Sequence, residues 1–334
     1  MRTAFYPSRI FVDQEVHLLP STQKILNLFP KTAVEIVEDP AALKKPLAMS
    51  AAKKGLLLAR HKADHCLKDF AAMSASAKRP YYSLNIISNC HLECSYCILQ
   101  SYLANNPVIT VYTNVEEILE KLKKDLPQVP ATGVVSTGQI ADSLALEWLA
   151  GWSAILIPFM GRQKKCFLEL KTKSDCVEEI LNLDHRGKTV VSWSMNPPEI
   201  VRREELKTAP VERRLHSAKQ CADAGYRIGF HFDPMILHEN WERNYSRLLE
   251  AIFDTVPEKQ IAWISAGALR FPKRQEKIMR RRFPKSKTIF HSLEHTHLPY
   301  LTYPKGVREK MGGLMEDFVK QKSKQTNFYL CMES

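Results

Sequence analysis

The sequence predicts an α/β protein whose main body is six strand-helix units in series on parallel strands. Three observations carry this. Short apolar or β-branched runs recur between residues 81 and 265, and longer stretches with helical periodicity follow them. The composition is that of a globular chain, 45% hydrophobic and 25% charged, with 12 glycines and 19 prolines in 334 residues. Strands separated by helices pair in parallel through right-handed crossovers, and such folds gather ligands at the carboxyl ends of their strands.

Residues 1–78 read as a small leading domain, with helical spacing at Thr22 to Phe29 and at Ala51 to Met73. A Ser/Ala-rich segment then runs into Lys78, Arg79 and Pro80, where the pattern changes. The six units begin with the strand Tyr81 to Ile87 and a helix after Cys97. Next come Gly133 to Ser136 with Leu144 to Ser153, Cys166 to Lys171 with Cys176 to Leu183, and Thr189 to Ser194 with Val211 to Ala224. Arg227 to Phe232 with Trp241 to Thr255, and Gln260 to Ser265 with Lys273 to Arg282, complete the series over residues 79–287. Residues 288–334 form a C-terminal segment with a short strand, Tyr300 to Tyr303, and a final helix, Val307 to Gln321.

The apolar run Ala145 to Met160 is interrupted by Glu147 and falls short of the roughly 20 residues of a membrane span. Met1 to Val12 lacks the apolar core and cleavage site of a secretory signal, so a cytoplasmic protein with no membrane partner is expected. The net charge of +12 invites a polyanion such as DNA. Its densest stretch runs from Arg270 to Lys287. That stretch reads equally as a phosphate-binding surface and as the solvated face of a helix buried through Ile278, Met279 and Phe283.

Three of the eight cysteines, Cys90, Cys94 and Cys97, fall within eight residues just beyond the first barrel strand. The other five are scattered and read as buried hydrophobes. A disulfide framework does not suit such a chain; a metal site does. Three thiolates on one loop can ligate three irons of a cubane, leaving the fourth without a protein thiolate. Zinc bound by the three cysteines and His91 is the alternative, although structural zinc sites usually draw on two separated loops.

A cysteine, three residues, a cysteine, two residues and a cysteine after a strand resembles the radical S-adenosylmethionine superfamily. That resemblance implies a partial (β/α)6 barrel of the TIM type with a small N-terminal α/β extension and a C-terminal β/α appendage. It also implies a [4Fe-4S] cluster whose open iron is chelated by S-adenosylmethionine, and reductive cleavage to a 5′-deoxyadenosyl radical. The chain further resembles the spore photoproduct lyase family from about Tyr82 to the final helix. The shared segments are Cys97-Ile98-Leu99-Gln100, Val111-Tyr112-Thr113-Asn114, Leu170-Lys171-Thr172-Lys173, Arg186-Gly187-Lys188-Thr189, Ser194-Met195-Asn196, Ala224-Gly225-Tyr226, Asp233-Pro234-Met235 and His238-Glu239-Asn240-Trp241. The family implies that Tyr96 lies beside the cofactor, that Lys173 pairs with its carboxylate, and that Ser194 hydrogen-bonds its methionine or ribose part. The superfamily implies that the backbone at Gly138 approaches the cofactor amino group. With no second cysteine cluster, electrons come from an external low-potential donor, a flavodoxin or ferredoxin.

Three departures bear on the substrate. Ile98 stands where the family has a tyrosine after the third cysteine. Thr137-Gly138-Gln139-Ile140-Ala141-Asp142 lacks the cysteine that donates hydrogen in the family. The segment from about His291 to Tyr303, matching a long DNA-entering hairpin, contains no Arg or Lys, although extruding a base calls for cationic and aromatic contacts. Three readings follow: a lyase-like radical enzyme acting on a DNA thymine photoproduct, a radical enzyme acting on another substrate, and a non-catalytic iron-sulfur protein that binds nucleic acid. Cys166 is a conceivable replacement hydrogen donor, against its reading as a buried thiol.

Overall fold

The runs Val134–Ser136 and Thr189–Ser194 are buried at every position, the signature of parallel strands covered on both faces. The computed structural model describes residues 5–44, 49–103, 108–295 and 300–331. Six strands align in parallel and in sequence order: Tyr81–Leu84, Val134–Ser136, Phe167–Thr172, Thr189–Ser194, Arg227–Met235 and Ile261–Ala268. These are the six expected strands, within a few residues at each end. Asn327–Leu330 adds a further parallel strand beside Ile261–Ala268, and Leu67–Asp69 pairs antiparallel with Tyr81–Leu84 at the other edge. The result is the expected partial barrel, an open curled sheet.

Side chains from five of these strands converge on its concave face. Glu169 accepts hydrogen bonds from the Tyr81 hydroxyl and from Ser192 (2.9 Å), and pairs with His231 (2.8 Å). His231 in turn contacts Ser265 at 2.7 Å. Burial opposes the Glu169 charge, but His231, Lys171 and Ser192 outweigh it and hold the carboxyl below its usual range. Below this belt Met73 and Ala77 pack against Tyr81, Val134, Val190, Trp263 and Tyr329. Helix Ala71–Ala77 thus closes the barrel floor.

The leading segment departs from expectation. Ala51 to Met73 is not one helix: helix Met49–Ala52, strands Gly55–Ala59 and Leu67–Asp69, and the start of helix Ala71–Ala77 occupy that stretch. Gly55–Ala59 is buried at every residue, and such a run carries no periodicity to separate strand from helix. It joins a second sheet in the order Val34–Val37, Arg9–Asp13, Gly55–Ala59, Ile109–Tyr112, Ile87–Ser88. The sheets therefore do not divide at residue 78: two strands of this sheet come from beyond it, and Leu67–Asp69 belongs to the barrel sheet. Thr22 to Phe29 is helical as Pro20–Asn27.

The expected helix Cys176 to Leu183 is absent. Ile180 N–H donates to the Val177 carbonyl (3.0 Å) and Leu183 N–H to the Ile180 carbonyl (3.2 Å), three-residue steps that make turns. The helix after Cys97 is short, Leu99–Tyr102, and the longer crossover helix is Val115–Asp125. Leu144 to Ser153 is not one helix: it holds the single turn Glu147–Ala150, ended by Gly151 in a left-handed conformation (φ 65°), and the longer helix follows as Trp152–Gly161. The remaining helices appear as Val211–Asp223, Trp241–Thr255, Lys273–Arg282 and Lys305–Lys322. Among the described residues no helix is long and apolar enough to cross a membrane.

At the end of Val115–Asp125, Asp125 ties that helix to the start of the barrel's edge strand Leu67–Asp69. It accepts hydrogen bonds from the N–H groups of Cys66 (2.8 Å) and Leu67 (3.1 Å), and contacts His65 Nδ1 at 2.7 Å. Burial alone would raise its pKa, but these bonds outweigh burial and hold it below 3.8, while the same contact lifts His65 above 6.5. The Asp125 contribution is therefore full above its unfolded pKa and lost as pH falls through its depressed folded value. That of His65 is full below 6.5 and lost as pH rises through its raised value. Asp125→Asn is expected to cost about 1–3 kcal/mol. The deficit should be larger near pH 5.5 than near pH 9, where roughly only the backbone bonds remain to lose. Equal deficits in urea unfolding at the two pH values would refute the linkage.

Candidate active site

The three clustered cysteines follow the first barrel strand on a loop that leaves Leu84 and turns at Asn89. Asn89 adopts a left-handed conformation (φ 69°), which asparagine tolerates better than most residues. Its side-chain oxygen accepts from Cys90 N–H (2.8 Å), and its own N–H donates to the Ile140 carbonyl (2.8 Å), joining the loop to the segment after the second strand. Cys94 is buried, and Cys90 and Cys97 are half-buried. Glu93 and Cys94 pair antiparallel with Leu206 and Glu205. Lys53 donates to the Leu92 carbonyl (2.5 Å) and pairs with Glu93 (3.3 Å), and Arg282 pairs with the same Glu93 oxygen (2.7 Å). Gln275 donates to the carbonyls of Tyr96 (3.3 Å) and Cys97 (3.0 Å).

Behind this loop lies a buried ionic network. Arg214 pairs with Glu205 at 2.7 Å, both side chains 0% exposed. Arg214 also donates to the carbonyls of Ser194 (2.8 Å) and Ala209 (2.8 Å) and to the Thr208 hydroxyl (2.6 Å). Glu205 accepts from the Tyr96 hydroxyl and from Asn196 (3.0 Å), and Asn196 accepts from Tyr245 (2.7 Å). Burial opposes the Glu205 charge; Arg214 and then Lys173 outweigh it, so its pKa lies below the usual range.

The residues singled out from the sequence lie at the carboxyl ends of consecutive strands. Lys173 follows Phe167–Thr172, with its ammonium 5.8 Å from the centre of the Tyr96 ring and its N–H donating to Asp142 (2.7 Å). Ser194 ends the fourth strand and is buried. Gly138 lies two residues beyond the second strand. A Cβ there would come within 2.7 Å of Lys171 Cβ and 3.0 Å of the Lys171 carbonyl, so the glycine also serves close packing between neighbouring strand ends.

The donor set suits a soft, thiolate-bound metal cluster. Burial pushes the Cys90 thiol up to about 12 and the Cys94 thiol well above its ordinary value, and each thiol feels the charge of its neighbours. Such thiols hold no charge without a bound cation to compensate them. The zinc alternative fits less well, because a Zn–S bond of about 2.3 Å would bring the sulfurs to within roughly 4 Å of one another. Among the described residues no three His, Cys, Asp or Glu side chains gather into a single-ion site, and the His91 ring packs on Phe5 with centroids 5.5 Å apart.

The departures have their own places. Ile98 is 44% exposed at the start of the short helix after the cluster loop. Cys166 is buried in the apolar layer with Leu168 and Leu170, at the amino end of its strand, away from the loop cysteines, and so is a packed thiol. The hairpin is short: Glu294–His295 pairs with Tyr300–Thr302, which pairs in turn with Arg270–Pro272. Residues 296–299 lie outside the described residues. Arg270 lends this small sheet a cation, engaged at 3.6 Å by Asp233 and bound to the Cys331 carbonyl (3.2 Å).

Sequence reading missed Glu205, Arg214, Asn196 and Tyr245. Their partners lie up to 109 residues away, and the only local hint is Asn196 inside a family-like segment.

A family model described as "Spore photoproduct lyase" matches residues 5–300. The spore photoproduct lyase of Bacillus subtilis is 27% identical over 298 residues, covering 86% of this chain and 85% of the relative. That of Clostridium acetobutylicum is 28% identical over 194 residues, covering 58% of this chain and 57% of the relative. The chain thus spans between about half and most of its relatives' lengths, depending on the relative. Among solved structures, a spore photoproduct lyase complexed with dinucleoside spore photoproduct superposes with a TM-score of 0.84 at 21% identity, covering 98% of this chain and 99% of that one. A variant with bound AdoMet and the same dinucleoside gives 0.83 at 20% identity, covering 97% and 98%. The open parallel barrel, the three-cysteine loop beyond its first strand and a family match over residues 5–300 together make this chain a member of the spore photoproduct lyase family.

Proposed function

We propose that this chain holds a [4Fe-4S] cluster on Cys90, Cys94 and Cys97, binds S-adenosylmethionine beside it, and reverses a spore photoproduct in DNA. When bound, cluster and cofactor supply a 5′-deoxyadenosyl radical, chemistry the protein positions and shields. The observation that carries the reading is the meeting of the three-thiol loop with Lys173 and Tyr96 at the open barrel's carboxyl end. Lys173 holds the cofactor carboxylate as a point charge. Ser194 hydrogen-bonds its methionine or ribose part, and the backbone at Gly138 takes its amino group. Tyr96 contributes its ring rather than its hydroxyl, which Glu205 already holds. A low-potential flavodoxin or ferredoxin supplies the electron, and the cytoplasm is the compartment that suits such a cluster.

A second reading, a substrate other than the DNA photoproduct, is favoured by Ile98 and by the absence of cysteine from Thr137 to Asp142. The anaerobically reconstituted, dithionite-reduced protein is expected to form 5′-deoxyadenosine and methionine from S-adenosylmethionine, and to return thymines from a dinucleotide spore photoproduct. Cofactor cleavage without thymine release would select the second reading. No 5′-deoxyadenosine above a cluster-free control would remove both.

A further inference from the structure

Beside the three-cysteine loop, across the pairing of Leu206 with Glu93, lies a cleft of about 620 Å³. Glu204 and Leu206 line it from one side and Phe283, Lys285 and Lys287 from the other, and the Ser286 hydroxyl donates to Glu204 between them. Leu206 pairs with Glu93, and Glu205 pairs with Cys94, so this wall stands about one strand spacing, roughly 4.8 Å, from the backbone that carries a cluster cysteine. The opposite wall continues helix Lys273–Arg282, whose Gln275 side chain donates to the carbonyl of Cys97 (3.0 Å). The helix carries six Lys or Arg residues against one Glu, and that Glu276 is paired with Arg280 at 2.8 Å. Arg203, Lys285 and Lys287 line the cleft and are exposed, as is Leu206 at 46%, and Arg274, Lys277 and Arg281 of the helix are exposed as well.

We propose that this cleft is the docking site of an acidic one-electron carrier of the flavodoxin or ferredoxin kind, a proposal that rests on the reading above that the loop holds a redox cluster. Cofactor and substrate enter through the barrel mouth, so an electron donor requires a second approach to the same loop. The cleft gives one. Its basic rim steers an acidic partner at long range, and its two apolar walls, Leu206 and Phe283, provide a dry centre. Electron-transfer encounters are small and transient, in keeping with a cleft of this size. Duplex DNA has the same charge complementarity, but it offers no apolar knob for Leu206 and Phe283, and proximity to the cluster is of no use to it. The step transfers one electron: the carrier is oxidised by one and the cluster reduced by one, with no atom or proton moved.

The test uses the full chain and an acidic flavodoxin as the probe. Arg203→Glu/Lys285→Glu/Lys287→Glu reverses three exposed charges that line the cleft, and Leu206→Ala trims the apolar wall without changing the charge. Titration of oxidised flavodoxin into the cluster-free chain is expected to show affinity falling about tenfold or more in the triple variant, and falling also in the Leu206 variant, with the wild-type affinity dropping as salt rises. In the cluster-loaded protein, cluster reduction by reduced flavodoxin, followed by absorbance, should slow by a similar factor while reduction by dithionite is unchanged. Unchanged affinity, or weakened binding with an unchanged rate of cluster reduction, overturns the proposal. So does loss of duplex DNA binding with flavodoxin binding retained, which would give the face to nucleic acid. Failure of dithionite-driven cofactor cleavage would count against the proposed function alone, because the binding comparison needs no cluster.

Discussion

Arg214→Met is expected to destabilise the chain by about 3–5 kcal/mol, because it strands the Glu205 carboxylate without its cation in a site sealed from water. The arginine makes four contacts there: the ion pair, the carbonyls of Ser194 and Ala209, and the Thr208 hydroxyl. Methionine approximates the stem of the side chain, so the loss reports the polar contacts rather than a cavity. Glu205→Gln in the same background should recover part of the deficit, since a neutral amide needs no counter-ion and can still accept from Tyr96. Denaturant unfolding followed by far-ultraviolet circular dichroism reads both. A loss below about 1 kcal/mol for the single variant would mean that water reaches Glu205 and the network is not sealed.

Cys97→Ala should abolish cluster loading while leaving the fold in place. After anaerobic reconstitution, iron and sulfide are expected at the level of a protein-free control, and no 5′-deoxyadenosine should form. Cys166→Ala should load normally, because its buried thiol lies just before the amino end of Phe167–Thr172, whereas the loop gathers at the carboxyl ends. The iron-free Cys97 variant and the iron-free parent should unfold within about 1 kcal/mol of each other, as for an ordinary small change at a half-buried position. Full iron loading in the Cys97 variant would remove that thiol from the ligand set.

The six barrel strands were legible because β-branched and aromatic residues are concentrated in short runs bounded by Gly, Pro and charged residues, as in Thr189–Ser194. Gly55–Ala59 was not, because three leucines in succession are as much at home in a helix as in a buried strand. Cys176 to Leu183 has helical spacing, yet its bonds close in three-residue steps, a tertiary decision taken between two strands. The strand Asn327–Leu330 is only four residues long and takes its identity from its neighbour Ile261–Ala268.

The site divides in the same way. Cysteine spacing is local, so the loop could be read directly, whereas Lys173 and Ser194 were singled out by the family resemblance, and the structure places both at strand ends. The Glu205 network is not local. A glutamate nine residues before an arginine on an amphipathic helix looks like surface charge, and only the return of that segment against Cys94 buries the pair. Charge in the Arg270 to Lys287 stretch was visible, and its helical reading matches the structure: Gln275 and Met279 are buried, Arg274, Lys277, Arg280 and Arg281 are exposed, and Arg282 turns to Glu93.

The anchors of the three-cysteine loop, Lys53 and Arg282 on Glu93, Gln275 on the carbonyls of Tyr96 and Cys97, and the strand pairing with Glu205, involve no sulfur atom. On the proposed function, ordering of this socket should therefore not require iron: metal would enter after the chain has folded, and its loss would leave a receptacle to be refilled instead of an unravelled chain, in contrast to small zinc domains that collapse when chelated.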